Sequence, residues 1–139
     1  MLHRVTACLT ILALSTLPGW TADRTVLRAS QLNSDPDTYD GQDVVVKGYA
    51  ILEPHNHLLY DSRKAFTRRN EYHDNDKHCL TIINPGFLFR AKGQSWDLTK
   101  HTLTLSGKFF AHYLDRVVDL GACGGKPGFT IRKIIRIEK

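Results

Sequence analysis

Apolar and polar residues alternate most regularly between Val44 and Glu53. One set of alternate positions is small and apolar: Val44, Val46, Gly48, Ala50 and Leu52. Because side chains of a strand point to opposite faces in turn, the pattern predicts a β-strand with this set facing a core. Gly48 lies in mid-strand and predicts a bend or bulge, of the kind that the closure of a small barrel needs.

Four other segments also have the hydrophobic pattern of strands, namely residues 58–60, 79–83, 102–113 and 129–138. In the last segment one parity is shared by Phe129, Ile131, Ile135 and Ile137, and Lys133 interrupts them. We therefore expect a bulge or an exposed edge near Lys133. Five strands without a convincing long helix favour a mainly β protein that folds as a small closed or partly open barrel.

The segments before the first long strand carry cap and turn signals. Residues 25–33 predict a short extended lead-in and one helical turn, for which Ser30 is the expected cap. Pro36 begins another turn. The run Tyr39–Gln42 predicts a tight turn in which Gly41 takes a positive φ.

The later connections are more variable in character. Residues 54–57 predict a hairpin turn, and the polar residues 61–77 predict an exposed excursion with one helical turn. Residues 87–100 fit either a helix or an irregular loop. The glycine-rich loop 121–128 is interpreted as a flexible turn that carries Cys123. It is not expected to hold phosphate, because Pro127 follows its lysine where a hydroxyl residue is needed.

The first 22 residues have the pattern of a secretory signal peptide. His3 and Arg4 form a short positive start, and residues 5–17 are an apolar run too short to span a bilayer. Pro18 and Gly19 end any helix, and Ala22 offers a small residue for cleavage nearby. We therefore expect an exported protein, periplasmic or secreted, in a compartment where disulfides form.

Length and charge fit one small basic domain. Removal of residues 1–22 from the 139 of the chain leaves 23–139, which predicts a single domain without a further membrane-spanning run. Arg4 is the only charged residue in the removed segment, so the net charge of +5 falls by one unit. A basic surface favours anionic partners such as phospholipid, lipopolysaccharide, nucleic acid or an acidic protein; ordinary solubility is the alternative.

Two of the three cysteines are available for a disulfide. Cys8 lies in the predicted signal peptide, where too little apolar sequence precedes it for lipidation. Cys79 and Cys123 remain, and an even pair in an exported chain predicts a bridge. Closing a loop of about 43 residues would stabilise the fold by ~3–4 kcal/mol. Two free thiols or a metal site are the alternatives.

Part of this sequence is similar to a known group of proteins. The spaced residues Ser30, Leu32, Pro36, Tyr39-Asp40-Gly41, Val44, Val46 and Gly48-Tyr49 resemble the opening of small exported bacterial OB-fold proteins. Leu59-Tyr60, residues 105–109 and residues 131–137 fit the same layout. The resemblance implies a five-stranded OB-like Greek-key barrel with a short N-terminal helix and one or two helical turns in its loops. It implies a binding or structural module and no chemistry, because many exported members of that group have no established activity.

Catalytic and metal-binding motifs are weak in this chain. His55, His57, His73 and His78, with Asp74 and Asp76, could supply metal ligands, but their spacing matches no zinc signature, and solvated polar loops are the favoured interpretation. No nucleophile has a recognisable adjacent base, and both remaining cysteines are assigned to the bridge. We expect no metal, no cofactor and no enzymatic activity.

The expected function is therefore binding. The candidate surface comprises Lys47, Tyr49, Tyr60, Arg63, Arg68 and Arg69. We expect the charged loop 61–78 to contact a protein or a cell-envelope component, as an immunity or inhibitor protein would. The alternative is an oligosaccharide- or single-stranded nucleic-acid-binding module with Tyr49 and Tyr60 as stacking platforms, although export disfavours nucleic acid as a partner. The pattern does not determine the oligomeric state.

Overall fold

The computed structural model describes residues 25–53, 56–70, 75–88, 98–113, 123 and 127–139. These residues form a mainly β structure with six strands in one mixed sheet, which confirms the predicted class. One strand more than the five predicted is present, because the lead-in at Val26–Leu27 also pairs with the sheet.

The elements follow the chain in a simple order. The strands are β1 (Val26–Leu27), β2 (Asp43–Glu53), β3 (Asn56–Tyr60), β4 (Cys79–Ile82), β5 (Thr102–Phe110) and β6 (Gly128–Glu138). The helices are α1 (Ala29–Ser34), α2 (Pro36–Tyr39) and α3 (Arg63–Thr67), followed by a 3₁₀ turn at Asn75–His78. The predicted N-terminal helical turns, the turn at Gly41 with its φ of 70° and the helical turn in the polar excursion are confirmed.

The strand order is β1-β2-β3-β4-β6-β5, and β2 also pairs with β5. The β1–β2 and β4–β6 pairs are parallel, and the other pairs are antiparallel. The first part of β2, Asp43–Tyr49, pairs with β5, whereas its second part, Tyr49–Glu53, pairs with β3. The long strand β2 therefore joins two parts of the sheet, and Tyr49 lies where they meet.

The main core collects the alternate residues that the hydrophobic pattern indicated. From β2 it takes Val44, Val46, Ala50 and Leu52. From the other long strands it takes Leu103, Leu105, Phe109, Phe129 and Ile131. These side chains pack on one face because strand residues two apart point the same way, and their burial supplies the main driving force for folding.

Two mid-strand glycines permit close approach of neighbouring strands. The register of β2 against β5 runs through Gly48 without a shift, so no bulge lies at Gly48. A Cβ there would lie 2.6 Å from both the Leu59 side chain and a β3 carbonyl oxygen. A Cβ at Gly107 would collide with the carbonyl group of Thr130. Both positions need glycine because a neighbouring backbone leaves no room for a side chain.

The last strand departs from regular pairing at two places. Its register against β5 shifts once before and once after Lys133, which confirms the irregularity predicted there. Arg132 and Ile135 have no partner in that register, so each is the extra residue of a bulge. The two bulges place Ile134 and Ile137 against the core and leave Ile135 51% exposed. The bulges therefore turn Ile135 outward, although it has the same sequence parity as the buried Ile131.

At the start of the first helix a distant residue accepts a backbone hydrogen bond, and Ser30 is not the N-cap. The helix begins at Ala29 with Arg28 as its N-cap, and Ser30 lies within its first turn. The backbone N–H of Ser30 donates a 2.9 Å hydrogen bond to the carboxylate of Asp61, which follows β3. The predicted cap at Ser30 is wrong, because a tertiary contact supplies the acceptor that a local side chain was expected to provide.

Several predictions concern residues that lie outside the described ranges. They include the signal peptide at 1–22, residues 54 and 55 of the hairpin turn, most of segment 87–100 and most of loop 121–128. The division into that signal peptide and a domain at 23–139 stays a prediction. None of the helices formed by the described residues has the length and apolar character that a membrane crossing requires.

Candidate binding surface

Helix α3 provides the basic part of the candidate surface. It begins where the hydroxyl of Ser62 accepts a 3.1 Å hydrogen bond from the backbone N–H of Ala65, and its C-cap is Arg68. Arg63 and Lys64 stand exposed in its first turn, and Arg68 is exposed at its end. A polar segment with a serine cap forms this short helix, and the buried Ala65 faces the sheet.

Phe66 attaches α3 to the outer face of the sheet. Its ring centroid lies 5.9 Å from that of Tyr49 and 5.3 Å from that of Tyr60, the second contact being edge-on. The guanidinium of Arg69 lies over the Phe66 ring, 4.4 Å from its centroid. Arg69 also donates a 3.1 Å hydrogen bond to the carbonyl oxygen of Phe66. Aromatic packing and a cation–π contact therefore hold α3 in one position.

A second apolar cluster lies beneath that contact. It contains Tyr49, Ile51, Leu58, Tyr60, Cys79 and Cys123, all of them buried. Cys79 and Cys123 are joined by a disulfide across a sequence separation of 44, which confirms the predicted bridge. The cluster explains why the outward-facing residues of β2 are also buried: the sheet is covered on both faces in this region. The disulfide therefore ties residue 123 to the apolar cluster on which α3 packs.

Tyr49 and Tyr60 are not available as stacking platforms. Only 6% of Tyr49 and 2% of Tyr60 is exposed, since Phe66 packs over both rings. Burial raises the pKa of Tyr60 above its ordinary value of 10.0, and the nearby charge of Arg69 partly opposes this shift. The expectation that these rings present an open face to a ligand is therefore wrong.

Lys47 belongs to a different part of the surface. Its ammonium lies 2.8 Å from a carboxylate oxygen of Glu138, and this hydrogen bond lowers the pKa of Glu138. The register places Lys47 opposite Thr104 on β5, and Thr104 opposite Arg136 on β6. Lys47 thus lies in a row of charged and polar residues that runs across β2, β5 and β6. The structure brings Arg63, Arg68 and Arg69 together, on α3 and directly after it, but leaves Lys47 outside that group.

The histidines within the described residues have local roles. His78 Nδ1 lies 3.0 Å from a carboxylate oxygen of Asp61, the residue that also holds α1. His57 is in β3, opposite Leu52. His55 and His73 lie outside the described ranges, and so does Asp74. In the part of the chain that the structure describes, no three histidine, cysteine or acidic residues are grouped as metal ligands.

Phe66 is the residue that sequence reasoning missed. It is the lone aromatic residue between four basic ones in 63–69, and an isolated aromatic in a polar run is a usable sign of a buried anchor. Comparison with protein-family models, with curated proteins and with solved structures finds no match to this chain. The surface must therefore be interpreted from its own geometry.

Proposed function

We propose that this protein is an exported, non-enzymatic binding module that contacts an anionic protein or cell-envelope component through α3. The observation that carries the proposal is the anchoring of α3: Phe66 fixes it to the sheet, and the side chains of Arg63 and Lys64 are exposed on it. A cationic group held on a rigid scaffold loses less entropy on binding than one on a mobile loop.

The proposed architecture is a five-stranded barrel of the OB type, to which β1 adds a short sixth strand. Each of the five longer strands pairs with two others: β2 with β3 and β5, β4 with β3 and β6, and β6 with β4 and β5. Such a cyclic set of pairings supports barrel closure. In this architecture ligands contact the outer strand face and the loops, and α3 lies over that face.

Export rests on the leader-like pattern of residues 1–22 and on the Cys79–Cys123 bridge, which suits an oxidising compartment. The protein is thus proposed to act in the periplasm or outside the cell. An immunity or inhibitor protein is one specific form of the proposal, because a fixed basic helix can cover an acidic surface of a target.

The experiment compares two charge-reversal variants of equal net charge. The immobilised protein is incubated with envelope extract at physiological salt, and retained components are quantified against the immobilised protein. The test variant is Arg63→Glu/Lys64→Glu, and the control is Lys100→Glu/Lys139→Glu, which makes the same charge change at two exposed lysines outside α3. Surface substitutions of this kind leave the fold within about 0.5 kcal/mol of its stability.

The expected result is a component retained in stoichiometric amount by the wild type and the control and lost by the α3 variant. Raising the salt concentration should also release the component from the wild type, because the proposed contact is electrostatic. Equal retention by all three proteins, or none by the wild type, would contradict the proposal. Retention of glycan or single-stranded DNA would support the alternative module, although the burial of Tyr49 and Tyr60 removes its stacking residues.

A further inference from the structure

Among the described residues, strand β6 has one edge that is paired only over its first part. On one side β6 pairs with β5 along its whole length, from Gly128 to Glu138. On the other side β4 pairs with Gly128 and Phe129 alone. Because alternate strand residues direct their N–H and C=O groups to opposite edges, the later part of β6 has backbone groups that face away from β5.

Asn84 marks the place where pairing on that edge stops. Its side-chain amide donates a 2.8 Å hydrogen bond to the carbonyl oxygen of Ile131 and accepts a 2.7 Å hydrogen bond from the Ile131 N–H. The amide thus takes the position of a strand partner for one residue. Among the described residues no strand pairs with β6 beyond this point on the β4 side.

A groove of about 400 Å³ runs beside this edge. The Asn84–Leu88 turn places Phe87 along it, and residues 132–137 of β6 form the rest of its lining. Ile134 and Ile137 present their partly buried side chains, and Ile135 is 51% exposed at the bulge. Within the part of the chain that the structure describes, these backbone groups have no strand partner, and together with the apolar groove they form the two elements that strand addition uses.

The charges of the groove select its occupant. Arg132, Lys133 and Arg136 are all exposed along it. Arg132 pairs with Asp43, and Arg136 lies 3.9 Å from Glu138, which Lys47 also engages, so the basic side chains remain in excess. A second copy of this edge would bring like charges together, which is unfavourable. An acidic strand would neutralise them.

We propose that the β6 edge binds an extended acidic peptide segment of a partner protein, which adds as a strand beside residues 132–137 and places aliphatic side chains in the groove lined by Phe87 and Ile135. This site goes beyond the proposed function, because it uses neither α3 nor its cationic side chains. Backbone hydrogen bonds would supply affinity, and the alternation of acidic and aliphatic residues would supply specificity.

The test uses a blocked octapeptide that alternates glutamate with valine, added to the isotopically labelled protein and followed by NMR. Two control peptides accompany it: one has lysine in place of glutamate, and the other has proline in place of valine. Proline lacks the N–H that a strand requires, so the second control keeps the charge and removes strand addition. The amide signals of Lys133–Ile137 and Phe87 are the readout.

The expected result is that only the glutamate–valine peptide shifts those signals. Lys133→Glu/Arg136→Glu should weaken its binding about tenfold and admit the lysine peptide, since two cation contacts are reversed. Arg63→Glu/Lys64→Glu carries the same charge change on α3 and should leave the affinity within about twofold. Ile135→Ser, a change at an exposed position, should weaken binding several-fold without altering charge.

Three results would overturn the inference. One is the absence of shifts in Lys133–Ile137 at millimolar peptide. Another is equal binding of the proline peptide, which would mean that charge alone holds the ligand. The third is equal weakening by the α3 variant, which would locate the peptide elsewhere. Failure here leaves the envelope experiment on α3 unaffected, because the two tests change different residues.

Discussion

Removal of the Phe66 ring should release α3 from the sheet. Truncation of a fully buried phenylalanine costs about 3–5 kcal/mol, and because Phe66 is only partly buried we expect roughly half of that. Loss of the cation–π contact with Arg69, whose guanidinium lies 4.4 Å from the ring centroid, adds about 0.5–1 kcal/mol. Phe66→Ala should therefore lower the free energy of unfolding by about 2–3 kcal/mol.

Urea unfolding of the disulfide-intact protein measures this loss. Thr67→Ala is the matched control, because it removes an exposed side chain of the same helix whose hydroxyl donates a hydrogen bond to the backbone carbonyl of Arg63. The control should change stability by less than about 0.5 kcal/mol. In Phe66→Ala, Tyr49 and Tyr60 should also become accessible to a collisional fluorescence quencher. A loss below about 0.5 kcal/mol, with both tyrosines still protected, would refute the role given to Phe66.

Three other measurements test the fold. Gly107→Ala should cost about 3 kcal/mol or more, since the new Cβ meets backbone that cannot move, whereas Gly86→Ala has open space and should change stability by less than about 1 kcal/mol in urea unfolding. Reduction of Cys79–Cys123 should cost ~3–4 kcal/mol, and an unchanged midpoint would contradict this. Because the folded pKa of Tyr60 is raised, its contribution is complete below pH 10.0 and is lost as the pH rises further; Tyr60→Phe should flatten that alkaline decline.

Local alternation was sufficient to predict the long strands. In β2 and β5, every second residue is apolar, and those residues are the ones buried in the main core. A two-residue period requires no knowledge of the neighbouring strands, which is why these elements were predictable. The disulfide was predictable for a similar reason: once Cys8 is assigned to the leader, Cys79 and Cys123 form the remaining pair.

The errors occurred where a distant residue decides the local outcome. Serine is a residue type that often caps helices, but here the carboxylate of Asp61, which follows β3, accepts the hydrogen bond from the Ser30 N–H. Counting along β6 gives Ile135 the parity of the buried Ile131, and only the pairing with β5 shows that the bulges turn it outward. Tyr49 was assigned to the candidate binding surface, but Phe66 of α3 covers it.

The amino-acid order by itself determined where the long strands lie, which faces of β2 and β5 enter the main core, and the identity of the bridged cysteines. These properties depend on residue type and on spacing along one segment. Tertiary structure alone decided that Phe66 and a second apolar cluster cover the outer face of the sheet, where β6 shifts register, and where strand pairing of β6 on the β4 side ends among the described residues. Each of those depends on contacts between residues far apart in the chain, such as the bond of Asn84 to Ile131, and no local pattern encodes them.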